Sequence, residues 1–142
     1  MAGLIANVVF YASDPQRLAA FWAAALDYQV VSYDNEFGDT LRAGGLDDAA
    51  LANRIFVEDP EGVAPTLVFR HTSAPKESRN RLHFDVRTTP GRVPTPEELE
   101  EAKARLIALG ATMVRLLDTE WGPYHEHYYQ MQDPEGNEFC LI

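Results

Sequence analysis

His83 stands in the run Arg81-Leu82-His83-Phe84-Asp85-Val86, two residues from a guanidinium and two from a carboxylate. Side chains alternate faces along a strand, so Arg81, His83 and Asp85 share one side, while Leu82, Phe84 and Val86 share the other. An imidazole titrates at about 6.5 and a neighbouring carboxylate can hold its tautomer, which makes His83 the candidate general acid or base and Asp85 its partner. The same alternation near the C-terminus puts Glu138 and Cys140 on one face and Phe139 and Leu141 on the other. If the apolar sets meet helices, then Arg81, His83, Asp85, Glu138 and Cys140 line an open face, where acid–base chemistry and ligand contacts concentrate. His83, Glu138 and Cys140 are also types that bind zinc. The plainer readings are an Arg81–Asp85 ion pair and a Cys140 that packs as a small buried hydrophobe.

A second concentration of functional side chains is Trp121-Gly122-Pro123-Tyr124-His125-Glu126-His127-Tyr128-Tyr129. His125, His127 and Tyr129 share a strand face, a histidine pair without the spacing of a helical zinc motif. Trp121, Tyr124 and Tyr129 are read as an aromatic rim around a small organic ligand, or alternatively as core or subunit-contact rings.

The elements that must carry these groups follow from an internal repeat. Asp-Pro-Glu-Gly occurs at Asp59 to Gly62 and again at Asp133 to Gly136. Proline presets φ and glycine closes the turn, so both copies are read as hairpin turns between β-rich runs. Residues 6–11 and 81–86 are expected to open the two halves as strands. A helix follows each: one from Asp14-Pro15 with Leu18, Phe21, Trp22 and Ala25 on one stripe, the other from Thr95-Pro96 with Leu99, Ala102, Leu106 and Leu109, stopping at Gly110. Strands are expected at 28–33 and 111–117, so each half reads β-α-β-β-β in an α+β arrangement. Residues 37–51 and 88–94 are expected as loops or strand edge, and 76–81 as a solvated connector carrying Lys76, Arg79 and Arg81.

Composition bounds the function classes. With 142 residues the chain is expected to form one domain, because division sets in beyond about 250–300 residues. A net charge of −10 repels phosphate backbones and anionic lipid, which excludes nucleic acid and membrane surfaces as first-choice partners. A single cysteine and no long apolar run point to the cytoplasm as the default address.

The tandem β-α-β-β-β pattern resembles the vicinal oxygen chelate superfamily of glyoxalase I, extradiol dioxygenases and bleomycin-resistance proteins. The segments Asn7-Val-Val-Phe-Tyr-Ala-Ser-Asp-Pro, Asn80-Arg-Leu-His-Phe-Asp-Val and Asp133-Pro-Glu-Gly-Asn-Glu-Phe-Cys-Leu most resemble its glyoxalase-like domain branch. The resemblance implies a single domain over 1–142, with modules at about 4–75 and 80–142. Their curved mixed sheets would form a cup with helices on the convex side, and the chain would pair as a homodimer. It also implies four metal-ligand places on the first and last strands of the modules. Carried onto this chain, these fall at Asn7, near Val68, at Arg81 and at Cys140, a set too poor in donors for the inherited cage. The expectation is a cofactor-free, metal-independent lyase- or isomerase-like enzyme in which His83 moves a proton while Arg81 or Tyr129 steadies negative charge. Asn7, Arg81, Trp121, Tyr124, Tyr129, Glu138 and Cys140 would contact the ligand. The other reading is a non-catalytic protein similar to bleomycin-resistance members that sequesters its ligand; a divalent metal on His83, Glu138 and Cys140 is the remaining variant.

Overall fold

The computed structural model describes residues 2–142, which fall into two units divided between Pro75 and Lys76. In the first unit the elements are β1 (Asn7–Ala12), α1 (Pro15–Leu26), β2 (Gln29–Val30), α2 (Glu36–Ala43), α3 (Asp48–Ala52), β3 (Arg54–Glu58) and β4 (Thr66–His71). Asp14 starts α1, its carboxylate accepting from the Arg17 N–H at 3.1 Å with Pro15 in the first turn. The sheet order is β1-β4-β3-β2, with β1 and β4 parallel and the other pairs antiparallel. Alternation gives one face Phe10, Ile55, Val57, Leu67 and Phe69, which α1 covers with Leu18, Phe21 and Trp22. Rings lock this layer: Phe10 lies 5.0 Å from Phe69 and 5.7 Å from Trp22, and Phe21 meets Trp22 edge-on at 5.3 Å.

Residues 37–51, expected as loop or strand edge, are mostly helical. Asn35 caps α2 by accepting from Gly38 N–H at 3.0 Å, Glu36 and Asp39 sit in the first turn, and Arg42 in the last. Arg42 then donates to Asp48 at 3.0 Å and to the Tyr33 carbonyl at 3.1 Å, tying α2 to its neighbours. The glycines that suggested a loop serve the helices. Gly44 is the C-cap of α2, and Gly38 is buried where a Cβ would lie 1.8 Å from the Tyr33 carbonyl oxygen. Gly38→Ala is therefore expected to displace α2 and to cost about 1–3 kcal/mol in urea unfolding. Gly44→Ala, whose Cβ would meet its nearest atom at 3.3 Å with φ at −77°, is expected to cost much less.

In the second unit the elements are β5 (Asp85–Val86), α4 (Pro96–Leu109), β6 (Thr112–Trp121), β7 (Tyr124–Gln132) and β8 (Glu138–Leu141), with sheet order β5-β8-β7-β6. β5 runs parallel to β8 and the other pairs are antiparallel. Thr95 and Glu98 form a reciprocal capping box at the start of α4, and Gly110 ends it in the left-handed region at φ +115°. Arg92, donating to the same carboxylate, and the Thr95 N–H hold Glu98 down at about 2. Tyr129, Met131, Phe139 and Leu141 form the buried face.

Two strands are shorter than their β-rich runs suggest. Of 28–33 only Gln29–Val30 is strand, and of 81–86 only Asp85–Val86. Leu82, expected on the core side, is 69% exposed. Ahead of this strand Glu138 accepts from Lys76 Nζ at 3.1 Å and Asn80 N–H at 2.9 Å and so anchors the connector. Both Asp-Pro-Glu-Gly turns form as read: Gly62 N–H donates to the Asp59 carbonyl and Gly136 N–H to the Asp133 carbonyl, each at 2.9 Å. The aspartates add a second lock. Asp59 accepts from the Ala64, Glu61 and Val63 N–H groups, which hold its carboxyl below the usual range, and Asp133 accepts from those of Glu135 and Asn137.

Candidate functional site

Register builds the site. β5 and β8 pair Asp85 with Cys140, and β8 and β7 pair Cys140 with Gln130, so Asp85, Cys140, Gln130, Tyr128 and Glu126 share the face opposite Phe139 and Met131. On this face is a cavity of about 330 Å³ lined by His83, Asp85, Glu126, Tyr128 and Cys140 among others. His83 Nε2 lies 3.2 Å from Asp85 Oδ1, both side chains about half exposed. Asp85 therefore leaves the Nδ1 edge of the ring as the second site at which His83 can give or take a proton. Burial pushes the Cys140 thiol up, and the Asp85 charge and hydrogen bond push it further, against a smaller opposing effect of Arg79. Cys140 is thus a neutral thiol, not a poised nucleophile. Burial also pushes the Tyr128 phenol up, with Cys140 and Glu126 adding and Arg115 opposing, so Tyr128 is a neutral O–H donor.

Tyr128 and Glu126 are the site residues missed from the sequence. The available signal was parity: Met131 belongs with the apolar face, which puts Tyr129 toward the helix and Tyr128 toward the cavity. Tyr129 is indeed buried, its ring centroid 4.4 Å from Lys103 Nζ and its hydroxyl donating to Glu100. Its hydroxyl is turned to α4, and Tyr129 does not line the cavity. Arg81 lies exposed ahead of β5 and does not line the cavity. Glu138 is occupied by Lys76 and Asn80, so Asp85 takes its place beside His83 and Cys140. Trp121 and Tyr124 stack at 6.0 Å but are 69% and 63% exposed at the tip of the β6–β7 hairpin, carried beyond the cavity by the length of those strands. Gly122 at φ +58° lets that turn be made in two residues. Asn7 opens β1 opposite Thr66, in the first unit.

Register also tests the four ligand places. Val57 pairs with Leu67 two residues before the first turn, as Met131 pairs with Phe139 before the second, so Val68 stands where Cys140 does. Val9 pairs with Val68 as Asp85 pairs with Cys140. Counting back two residues puts His83, not Arg81, at the place equivalent to Asn7. The set becomes Asn7, Val68, His83 and Cys140. Val68 offers no donor, Asn7 a weak one and Cys140 a thiol that favours its proton, so the residues do not fit a four-ligand cage. His83, Asp85 and Cys140, all in the second unit, bring one donor atom each within 4.8 Å of one another.

A second cluster, which shares His127 with the cavity wall, is built on the hairpin by the opposite parity. Asp118 is paired across the strands with His127, and Glu120 with His125. His125 meets Glu120 at 2.7 Å through Nδ1 and Asp118 at 3.0 Å through Nε2, and the rings of His125 and His127 stack at 6.4 Å. The bond to Glu120, with the Asp118 charge adding, raises the His125 pKa against a smaller effect of desolvation. A group raised on folding contributes fully below its unfolded value of about 6.5 and loses that contribution as pH climbs through the folded value. The NMR titration midpoint of His125 is expected above that of an unstructured peptide histidine, and Glu120→Gln is expected to bring it down.

A family model described as a glyoxalase-like domain matches residues 7–142. Among solved structures, a glyoxalase/bleomycin resistance/dioxygenase family enzyme from Burkholderia phytofirmans PsJN is similar with a TM-score of 0.61 and 16% identity, over 98% of this chain and 97% of that one. The fosfomycin resistance protein FosX from Mesorhizobium loti matches with a TM-score of 0.63 and 14% identity, over 99% and 91% of the two chains. A FosX variant from Listeria monocytogenes, complexed with manganese(II) and 1S,2S-dihydroxypropylphosphonic acid, matches with a TM-score of 0.63 and 13% identity, over 99% and 89%. No curated protein matches the chain. Among the described residues no helix is long and apolar enough to cross a membrane.

Proposed function

We propose, given that the chain belongs to the glyoxalase-like domain family, that it binds a small organic molecule in the second unit's cavity and moves a proton on it without the inherited metal cage. The observation that carries this reading is the His83–Asp85 contact of 3.2 Å in the cavity that also holds Tyr128. His83 is the proton carrier, Asp85 fixes its tautomer, and the neutral Tyr128 hydroxyl donates to oxygen as negative charge develops there. The metal-free form of the reading is supported by Val68 and Asn7 at two ligand places, where strong donors are needed. The chemistry that suits these groups is abstraction and return of a proton beside a carbonyl.

The test uses the full chain purified without a metal-affinity tag. It is incubated in D2O with a panel of small α-hydroxyketones, and deuterium entering the α position is read by mass spectrometry, alongside elemental analysis. Enzyme-dependent exchange with much less than one metal per chain supports the proposal. No exchange, or about one metal per chain with exchange lost on its removal, overturns it. The second reading, sequestration without turnover, draws on the net charge of −10 and on Asp85 and Glu126 in the cavity, both of which favour a cationic ligand. Binding of such a ligand without exchange distinguishes it.

A further inference from the structure

The face of the first unit turned away from α1 carries an unusual juxtaposition. Arg54 and Arg70 stand directly opposite each other in the β3–β4 register. Like charges in that relation destabilise a sheet, yet among the described residues neither guanidinium is within ion-pair distance of a carboxylate. Arg70 is instead held over the Tyr11 ring, 5.9 Å from its centroid. The two arginines and His71 line a cavity of about 440 Å³ with no acidic residue in its wall, in a chain with 22 acidic and 12 basic residues. Apart from Asn53, the rest of the wall is apolar and aromatic. Tyr33 stacks on Phe37 at 6.0 Å and donates its hydroxyl to the Arg54 carbonyl, while Phe56, Leu41 and Leu46 complete the surface. Burial raises the Tyr33 phenol, against a smaller opposing effect of the Arg54 charge.

We propose that this cavity is a binding site for a small organic carboxylate with a flat apolar body, its anion received between Arg54 and Arg70 and its ring held against Phe37 and Phe56. A guanidinium presents a planar fork that matches a carboxylate, and a bound anion converts the opposed arginines from a repulsive pair into a clamp. The volume falls within the range of about 300–1,000 Å³ usual for small-molecule sites, and an aromatic wall with a few placed polar groups is their common chemistry. The site is independent of His83 and of proton transfer, and stands whether or not the second unit is catalytic.

Isothermal titration of the full chain with 2-naphthoate, 2-naphthamide and inorganic phosphate tests the assignment. 2-Naphthoate is expected to bind at least about tenfold more tightly than either of the others, and to weaken as salt is added. Arg54→Gln and Arg70→Gln are each expected to weaken 2-naphthoate about tenfold and to erase its advantage over the amide, whereas Phe37→Ala weakens both naphthalenes alike. Both arginines are exposed, and Arg54→Gln is expected to leave the melting temperature of the ligand-free protein unchanged or raised by about 1 °C, because it relieves the repulsion. Equal affinity for the acid and the amide, phosphate binding as tightly as naphthoate, no binding of either naphthalene, or an acid preference that survives both arginine changes would each overturn the proposal.

Discussion

Trp22→Ala is expected to destabilise the protein by about 3–5 kcal/mol and to lower the melting temperature by on the order of 10 °C or more, followed by circular dichroism. Trp22 is 1% exposed in the middle of α1, with Phe10 at 5.7 Å and Phe21 at 5.3 Å. Its loss removes both the transfer free energy of an indole and the contacts its neighbours made, and a helix fixed at Asp14 cannot sink far enough to fill the space. Against a whole-domain stability of about 5–15 kcal/mol this is a large fraction. Trp121 provides the internal control. At 69% exposure on the hairpin tip it supports no core, so Trp121→Ala is expected to stay within about 0.5 kcal/mol of the parent. A Trp22→Ala protein that melts with the parent would mean that the α1 layer does not hold the first unit together.

The contrast between these two tryptophans shows which parts of the molecule are written locally. Trp22 was legible because Leu18, Phe21 and Trp22 recur at helical spacing behind an Asp-Pro start, and the turns at Asp59 and Asp133 because aspartate, proline and glycine act within four residues. α2 and α3 were not, because Gly38 reads as a breaker until its contact with the Tyr33 backbone is known, and that contact is tertiary. The anchoring of the connector ahead of β5 is equally hidden, since it is made by Glu138 reaching back to Lys76 and Asn80. The common place of His83, Asp85 and Cys140 in one cavity wall is legible from strand alternation. Tyr129, which the sequence offers as pocket rim or as core, proves to be core, as its shared parity with Met131 requires. The mapping of Arg81 onto a ligand place failed because apolar pattern aligns strands to within a residue pair, and only the pairing of Asp85 with Cys140 resolves which pair.

That resolution makes His83 the position with the largest expected effect on activity. His83→Gln is expected to lower the rate of deuterium exchange into a bound hydroxyketone by about 10²–10⁴-fold while leaving its dissociation constant within a few-fold, because a general base contributes to the transition state far more than to ground-state binding. Asp85→Asn keeps the shape but presents an amide that can meet Nε2 through either end, so a smaller loss in the same direction is expected. Tyr128→Phe removes the donor that meets developing charge and is expected to cost about tenfold or more in turnover, with folding intact. Cys140→Ala separates this mechanism from thiol chemistry. A buried thiol pushed up by desolvation and by Asp85 contributes no nucleophile, so less than about a tenfold change in turnover is expected. If Cys140→Ala abolished exchange while His83→Gln spared it, the reacting group would be the sulfur and the roles of the two side chains would be reversed. If His83→Gln instead raised the dissociation constant and left turnover of bound substrate unchanged, His83 would be a ligand contact and the proton would travel elsewhere in the cavity, whose wall also holds Glu126 and His127.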